Sequence, residues 1–570
     1  MKLEDFTKEQ LLDLIKSIQS KTKYGITWEQ EFSHEKYTDL ERAALPVLSE
    51  VIDKRVFTEK NGKLNYILEG DNYFILKILN YTHSEKIDVI YIDPPYNTGN
   101  DDFKYNDKFV KREDTFRHSQ WLSFMNKRLR LARHLLKDSG VLIVSIDDNE
   151  LCQLKLLLDE IYGEDNFVAL LPTIMNLKGN QDQFAFAGTH EYTLVYSKNK
   201  TRAASENRFK NIQQELDAES SEWEEDDIGW WKKGAGLKMT GINAPRDKQP
   251  SLYFPVYVRK DGNEISVEKK KDWDEVLPLT DGKEMSWRWS KKKFEKDSQD
   301  VIVVGNSPNW TFYKKQRPEI GELPSKKPKS ILYKPSYSTT NGATQIKNLF
   351  GEKVFEYPKP VDLIKDLLAL TTDNDSIILD FFAGSGTTGE AVLKLNKETN
   401  GKRQFLLVTN NDSEICEKIT YPRIRKTIEG YKNASGQEFS GTSGNVLYFK
   451  SQFVRKTLNS DDMKIRMSEY CADILKFKHE TFDEIVNKSD IFSIFKNKTN
   501  VIGIYKGLDL QEIDEMCVEM MKYEDLQKIA YVFTFDNNQL NPLDFGNVKE
   551  IEFEAIPGSL ISTLGDDNVN

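Results

Sequence analysis

The segment at residues 376–395, SIILDFFAGSGTTGEAVLKL, places a short apolar run, a glycine-rich turn and a helix-like stretch directly after one another. Glycines between a strand and a helix permit a tight turn and a close backbone approach to a ligand beside the helix N-terminus. The apolar runs at 87–92, 141–146 and 404–409 are typical of buried parallel strands, and 121–136 is predicted to be a basic amphipathic helix. This alternation predicts an α/β fold with a doubly wound, mostly parallel sheet.

The length of the chain predicts several domains, because 570 residues is several times the usual domain size. The alternation of strands and helices lapses between about residues 200 and 345, where Trp, Gly, Pro and charged residues are frequent. We therefore expect an inserted module there. The predicted organisation is a helical lead-in at 1–48 (with a helix at 7–21), an α/β domain at 49–199 and 345–449, an insert at 200–344, and a C-terminal domain at 450–570.

The formal net charge of −11 is distributed unevenly along the chain. Residues 103–137 hold ten Lys or Arg against three Asp or Glu, and residues 288–334 hold twelve against five. Residues 451–570 reverse the balance, with thirteen basic and twenty-two acidic side chains. The two basic stretches predict local surfaces for a polyanion, and the acidic end predicts a protein-facing module. Ordinary solvated faces are the alternative explanation.

Cysteine usage and hydropathy indicate where such a chain works. The four cysteines, at positions 152, 416, 471 and 517, are far apart and form no CxxC pair. This argues against a zinc module and a disulfide framework, and it favours a reducing cytoplasm. No apolar run is long enough to span a bilayer, and the opening MKLEDFTKEQLL does not resemble a signal peptide. We expect a cytoplasmic protein with no metal site and no membrane partner.

Asp93, Pro94, Pro95 and Tyr96 follow directly after the predicted strand at 87–92. Two prolines at the end of a strand stop the ladder and stiffen the backbone, so the Asp93 carboxylate points at a fixed spot. An exocyclic amine on an aromatic base is a weak nucleophile. Hydrogen bonds from its N–H groups to a carboxylate and a carbonyl favour a pyramidal nitrogen, and the carboxylate stabilises the positive charge that develops there. A simple rigid turn is the alternative.

The glycine-rich turn is not a Walker loop, because Glu390 stands where the motif requires lysine. Gly384, Gly386 and Gly389 match the G-x-G-x-x-G string of nicotinamide and flavin enzymes, but no acidic residue follows at 404–411, where those enzymes carry one. By itself the turn fits any adenine nucleoside, or no ligand at all. We call residues 93–96 the amine clamp and residues 380–389 the adenosyl loop. A pocket for an adenosyl group together with a clamp for an amine predicts methyl transfer to an amine.

The motifs YIDPPYNTGNDDF, DFFAGSGTTG and VTNNDSEICEKITYPRIRKTI resemble those of the β-class DNA adenine-N6 methyltransferases, in which the amine clamp precedes the adenosyl loop. More narrowly, the chain resembles the Mod subunit of type III restriction–modification systems; KTKYGITWE and GKLNYILEGDNYFILKIL are similar to its lead-in. The resemblance covers about residues 20–450. It implies a circularly permuted class I fold that uses S-adenosylmethionine, with the insert at 200–344 selecting the target sequence.

The resemblance also implies roles for single residues. Asp93 and the Pro94 carbonyl would hold the N6 amine of an extruded adenine, and Tyr96 would stack on the base. Contacts with S-adenosylmethionine are implied for ten residues: Asp93, Lys359, Asp380, Phe382, Ala383, Gly384, Gly386, Thr387, Thr388 and Asn410. Implied partners are double-stranded DNA, a second copy of the chain and an ATP-dependent restriction (Res) subunit, since this chain has no Walker loop of its own.

Three alternatives stay open at this stage. Cytosine-N4 methylation needs the same amine chemistry, although Asp rather than Ser at position 93 favours adenine. Methylation of RNA or of a protein glutamine uses a similar clamp, but the large insert and the permuted order favour duplex DNA. The chain could also be a nucleotide-binding scaffold that reads DNA without catalysis.

Overall fold

This computed structural model describes residues 26, 28, 37–60, 62–100, 102–105, 108–179, 185–210, 212–213, 223–317, 325–457, 459–488, 491–507, 512–535 and 550–565. The predicted helix at 7–21 lies outside these residues. The chain divides into two compact units. Residues 1–210 and 329–570 form the sheet unit, and residues 211–328 form the insert unit.

The sheet unit is built on a central sheet of ten strands. In chain order these are Ala44–Glu50 (β1), Val56–Phe57 (β2), Leu64–Glu69 (β3), Ile87–Ile92 (β4), Leu136–Ile146 (β5), Phe167–Ile174 (β6), His190–Ser197 (β7), Ile377–Asp380 (β8), Gln404–Thr409 (β9) and Asn445–Arg455 (β10). Their spatial order is β1-β10-β3-β9-β8-β4-β5-β7-β6, with β2 also paired to β10. The six strands from β10 to β5 are mutually parallel. At one side β1 and β2 are antiparallel to β10; at the other β7 is antiparallel to β5, and β6 is antiparallel to β7.

The pairing of β4 with β8 positions the two motifs that the sequence singled out. Ile378 of β8 lies opposite Val89 of β4, and the two strands run in the same direction. The clamp at 93–96 follows β4, and the glycine-rich loop follows β8. Because the carboxyl ends of parallel neighbours meet at one edge of a sheet, the two motifs lie side by side there.

Both faces of this sheet are covered, because its central strands are apolar on both sides. In β4, Ile90 and Ile92 belong to one apolar cluster, whereas Val89 and Tyr91 belong to the other. Helices Asn72–Thr82, Arg117–Leu135 and Leu151–Tyr162 pack in the first cluster, and Val361–Thr371, Thr387–Thr399 and Tyr421–Glu429 pack in the second. Other helices of the unit are Tyr37–Ala43, Lys200–Ser205 and Thr339–Phe350. The predicted doubly wound α/β fold is confirmed.

The insert unit has its own core. A four-stranded sheet orders Trp223–Asp226, Gly229–Gly236, Asn309–Gln316 and Val301–Asn306, and a three-stranded sheet contains Ile265–Ser266, Val256–Val258 and Asp274–Val276. Trp287 is buried in this core together with Phe294 and Phe312, so this tryptophan serves packing. The helix Lys291–Lys296 is anchored by Phe294.

Within the sheet unit, the C-terminal residues form a five-stranded sheet that packs beside the central sheet. Its strands, in spatial order, are Asp483–Lys488, Phe492–Lys496, Asn500–Tyr505, Gln527–Phe533 and Ile551–Ile556, and its helices are Ser460–His479, Ile513–Met521 and Gly558–Gly565. Phe477 is fully buried against Tyr66 of β3 and Phe449 of β10, with ring centroids 4.8 and 5.4 Å apart. The apolar side chains of the C-terminal sheet and its helices therefore share one core with the central sheet.

The domain division stays a prediction, and several of its boundaries fall inside elements of the sheet unit. Strand β1 begins at residue 44, within the expected lead-in 1–48, and β10 ends at residue 455, beyond the expected boundary at 450. The insert unit spans 211–328, which is shorter than the expected 200–344. In the described residues, no helix is long and apolar enough to cross a membrane.

We predict that Phe477→Ala destabilises the whole sheet unit. Removing a buried phenylalanine leaves a cavity and costs about 3–5 kcal/mol of unfolding free energy. Thermal denaturation should show one transition at a markedly lower Tm. The matched control is Phe535→Ala, because Phe535 is exposed. Two separate transitions, with only the smaller one shifted, would show that the C-terminal sheet folds independently.

Candidate active site

The clamp after β4 has two acceptors that the chain leaves unpaired. The Trp121 indole N–H donates to the Pro95 carbonyl at 2.7 Å, and the Tyr96 hydroxyl donates to Oδ1 of Asp93 at 2.9 Å. Among the described residues, neither Oδ2 of Asp93 nor the Pro94 carbonyl accepts a hydrogen bond. These two oxygens are the acceptors that a ligand amine requires.

A buried ammonium group lies against this clamp. The Lys359 Nζ donates to both carboxylate oxygens of Glu191 at 2.7 and 2.8 Å and to the Tyr96 hydroxyl at 2.5 Å, and it lies 3.3 Å from Oδ1 of Asp93. Burial alone would lower the pKa of Lys359, but the charges of Asp93 and Glu191 outweigh burial and raise that pKa. Lys359 was predicted to meet the cofactor; the structure brings it to the clamp, and the cofactor contact stays a prediction.

The Asp380 carboxylate, at the end of β8, accepts two hydrogen bonds from the glycine-rich loop. Its Oδ1 accepts from the Phe382 amide at 3.0 Å, and its Oδ2 accepts from the Thr388 hydroxyl at 2.5 Å. Burial raises the pKa of Asp380 to about 7. Both oxygens are thus engaged by the loop itself, and the contacts of Asp380 and Thr388 with a cofactor stay predictions.

The loop glycines are required by backbone conformation and by packing within the chain. Gly384 and Gly386 have φ of +48° and +82°, where L side chains are strained. A Cβ on Gly386 would lie 3.2 Å from Cγ2 of Thr420, and one on Gly384 would lie 3.4 Å from the Phe355 ring. The side-chain space at Gly386 is therefore already taken by the chain. Within the described part of the chain, the amides of Gly384 and Ser385 donate to no acceptor.

A buried arginine ties the loop to the helix Tyr421–Glu429. The Arg423 guanidinium donates to Oε2 of Glu390 at 2.7 Å and to the hydroxyls of Ser385 and Thr387, each at 2.8 Å. The Thr387 side chain therefore faces the protein, as the Thr388 side chain does. Sequence reasoning assigned no role to Arg423, although it lies in the TYPRIRKTI segment that carries the resemblance.

Two asparagines near the site were also missed. The Asn72 amide donates to the Phe381 carbonyl at 2.8 Å and accepts from Arg128 at 2.5 Å, so the loop is held from the other face of the sheet as well. Asn97, directly after the clamp, is buried with φ +57° and donates to Glu150 at 2.6 Å. Local patterns gave no signal for these contacts, because each depends on a partner distant in sequence.

The remaining predicted residues lie around the loop. Phe382 is half-buried, with its ring 5.9 Å from that of Phe124, and Ala383 is buried. Asn410 is exposed just after β9, next to the half-buried Asn411. The structure therefore brings the predicted clamp and loop residues together at one edge of the sheet.

Comparison with known proteins identifies the family. A family model described as DNA methylase matches residues 87–421. The chain is 42% identical to the EcoPI Mod subunit of a type III restriction–modification enzyme from Escherichia phage P1, covering 80% of this chain and 73% of that protein. It is 32% identical to the type II methyltransferase M.KpnI from Klebsiella pneumoniae, covering 62% and 82%. A solved complex of M1.HpyAVI with SAM matches at 13% identity and a TM-score of 0.27, covering 63% and 96%.

The chain belongs to the DNA methylase family and is an S-adenosylmethionine-dependent DNA methyltransferase. The predicted enzyme class, the cofactor and the resemblance to Mod subunits of type III systems are confirmed. The roles of single residues remain predictions.

We predict that Asp380→Asn weakens the pH dependence of stability. The folded pKa of about 7 lies above the usual value of 3.8, so this carboxyl destabilises the fold progressively as pH rises through that interval. Asparagine keeps one acceptor for Phe382 and can donate to Thr388. The Tm difference between pH 5 and pH 8 should shrink in this variant and stay unchanged in the exposed control Asp375→Asn. Equal pH profiles in the wild type and Asp380→Asn would contradict the prediction.

Proposed function

We propose that this chain transfers a methyl group to the N6 amine of adenine in double-stranded DNA, as the modification subunit of a type III restriction–modification system. The observation that carries the proposal is the pair of unpaired acceptors at the clamp, Oδ2 of Asp93 and the Pro94 carbonyl, beside the loop that follows β8. Similarity to Mod subunits supports the biological setting.

The clamp chemistry follows from these acceptors. The two N–H groups of an adenine amine would donate to Asp93 and Pro94, which frees the nitrogen lone pair from the ring. The Asp93 carboxylate then stabilises the positive charge that develops on this nitrogen and is placed to receive a proton from it. Because the N6 amine cannot reach such a pocket from inside the duplex, the base must be extruded. The Tyr96 ring is the predicted stacking surface, with its hydroxyl end held by Asp93 and Lys359.

The residues of the loop fit the cofactor. The amides of Gly384 and Ser385 have no acceptor in the described residues and lie beside the N-terminus of the helix Thr387–Thr399, an arrangement suited to negatively charged or hydroxyl groups. Bound S-adenosylmethionine supplies an electrophilic methyl group at this edge. Phe382 and Ala383 would contact its adenosyl part, and the exposed Asn410 would meet the ribose hydroxyls.

We further propose that the insert unit reads the DNA sequence. Its support is that the unit is compact, with its own core around Trp287, and carries an exposed run of Lys291, Lys292 and Lys293 on the helix that Phe294 anchors. Lys315 and Arg317 contribute less to such a surface, because both pair with Asp226.

Proposed partners are a second copy of the chain and an ATP-dependent restriction subunit, in the setting suggested by the type III relatives. The proposed compartment is the cytoplasm. Its support is that the four cysteines are free.

We predict that Asp93→Asn lowers kcat by roughly 100-fold or more, because loss of one preorganised charge at a developing cation has that scale of effect. Methyl incorporation from labelled cofactor into DNA measures the rate, and calorimetry should find cofactor affinity within about threefold of the wild type. The control Asp138→Asn removes an exposed carboxylate and should leave kcat unchanged. Sequencing of modified bases identifies the product: N4-methylcytosine would overturn the adenine assignment, and an active Asp93→Asn variant would overturn the clamp.

We predict that exchanging residues 211–328 for the corresponding unit of a related enzyme moves the methylated motif. The exchange follows the compact unit, so it leaves residues 200–210 and 329–344 with the sheet. Methylation-sensitive sequencing of DNA treated with the chimaera reads the outcome. An active chimaera that still methylates the original motif would place recognition elsewhere in the chain.

A further inference from the structure

Glu191 is a buried carboxylate that no sequence motif singled out. It lies in β7, opposite Thr173 of β6, and its side chain is 11% exposed. Glu191 lies on the same face of β7 as the buried Thr193 and Val195, because side chains alternate along a strand. This is the face that the helix Val361–Thr371 covers. Lys359 lies two residues before that helix, and this brings the two side chains together.

This ion pair is not explained by stability. Two charges removed from water pay a desolvation penalty that their attraction often fails to exceed, and apolar side chains of similar size frequently serve a fold as well. The pair therefore calls for a functional reason, and its contacts supply one. Oε2 of Glu191 also lies 3.2 Å from the hydroxyl of Tyr96, a clamp residue whose single proton is shared between Glu191 and the nearer Oδ1 of Asp93 at 2.9 Å.

The Lys359 ammonium lies closer to the carboxylate of Glu191 than to that of Asp93. Its Nζ lies 2.7 and 2.8 Å from the two oxygens of Glu191 but 3.3 Å from the nearer oxygen of Asp93. Without Glu191, Asp93 would be the remaining carboxylate partner of this ammonium among its described contacts. Lys359 already pairs with Oδ1 of Asp93 at 3.3 Å. A closer pair would neutralise more of the charge that the target amine needs and would compete with the amine for the carboxylate.

We propose that Glu191 is a positioning residue for methyl transfer: it holds the Lys359 ammonium and the Tyr96 hydroxyl so that Asp93 keeps Oδ2 free for the target amine. This inference rests on the proposed function, because it takes the clamp as the amine site. Glu191 acts through Lys359 and Tyr96 and need not touch the substrate.

The first test is Glu191→Gln, which keeps the shape of the side chain and an acceptor for Tyr96 but removes the charge. We expect kcat to fall roughly 10-fold or more while cofactor affinity changes less than about threefold. Glu191→Asp, which keeps the charge, should retain more activity than Glu191→Gln. The control Glu85→Gln removes the carboxylate of an exposed lysine pair, Glu85–Lys198, and should leave kcat unchanged. A Glu191→Gln variant as active as the wild type overturns the proposal.

The second test separates positioning from a merely structural role. If Glu191 acts by restraining Lys359, then in a Lys359→Gln background the further change Glu191→Gln should alter kcat less than about twofold. Multiplicative losses in the double variant overturn the proposal. A wild type that methylates no DNA overturns the proposed function and this inference together, whereas an active wild type with independent effects overturns the inference alone.

The pH profile gives a third readout. Burial and the charge of Asp93 raise the pKa of Glu191 despite the opposing effect of Lys359. Among the described residues, Lys359, Asp93, Tyr96 and Tyr91 are the titratable groups that interact with Glu191. Protonation of Glu191 removes the same charge as Glu191→Gln. The wild-type kcat should therefore decline as pH falls through this raised pKa, and the Glu191→Gln variant should lack that part of the decline. Identical acid limbs in the two proteins count against the proposal.

Discussion

The parallel pairing of β4 with β8 is the constraint on which the site depends. Neighbouring parallel strands end at the same edge of a sheet, so a clamp after β4 and a loop after β8 are adjacent whatever the length of chain between them. The insert unit occupies much of that intervening chain without altering the register of Ile378 with Val89. The negative charge of Asp93 contributes to the raised pKa of Asp380, which shows that the two strand ends interact electrostatically.

This pairing also concentrates carboxylates. Asp93, Glu191 and Asp380 share one edge of the sheet, where Lys359 is the buried ammonium group that pairs with Asp93 and Glu191. Such an edge repels a DNA backbone but stabilises positive charge, including the charge that forms on an attacking amine. The acidic site and the polyanionic substrate are compatible when only an extruded base enters the pocket.

Local sequence was sufficient for some of this arrangement. An apolar β-branched run followed by a turn predicted β4, β8 and β9, because a buried strand and its stop signal are encoded within about ten residues. The side chains that hydrogen-bond to the glycine-rich loop could not be predicted from local sequence, since Arg423 and Asn72 lie far from it along the chain. Glu191 left a weak signal, a charged side chain in the buried phase of a strand, but its partner becomes evident only when β7 lies near Lys359.

Gly386 is required by the chain itself, whatever ligand the loop binds. The glycine was expected to leave room for a ligand, but its positive φ and the nearby Thr420 already exclude a side chain. A glycine motif is thus evidence first for the backbone conformation of the loop and only then for a bound ligand.

Glu390 distinguishes the glycine-rich loop from a phosphate-binding loop and also helps to fix its conformation. It stands where a phosphate-binding loop carries lysine, in the first turn of the helix Thr387–Thr399. Burial alone would raise the pKa of Glu390, but the charge of Arg423 lowers it and keeps the pair ionised. The pair fixes the loop, because Arg423 also donates to the hydroxyls of Ser385 and Thr387. The side chain that departs from the Walker motif is therefore also one that anchors the loop.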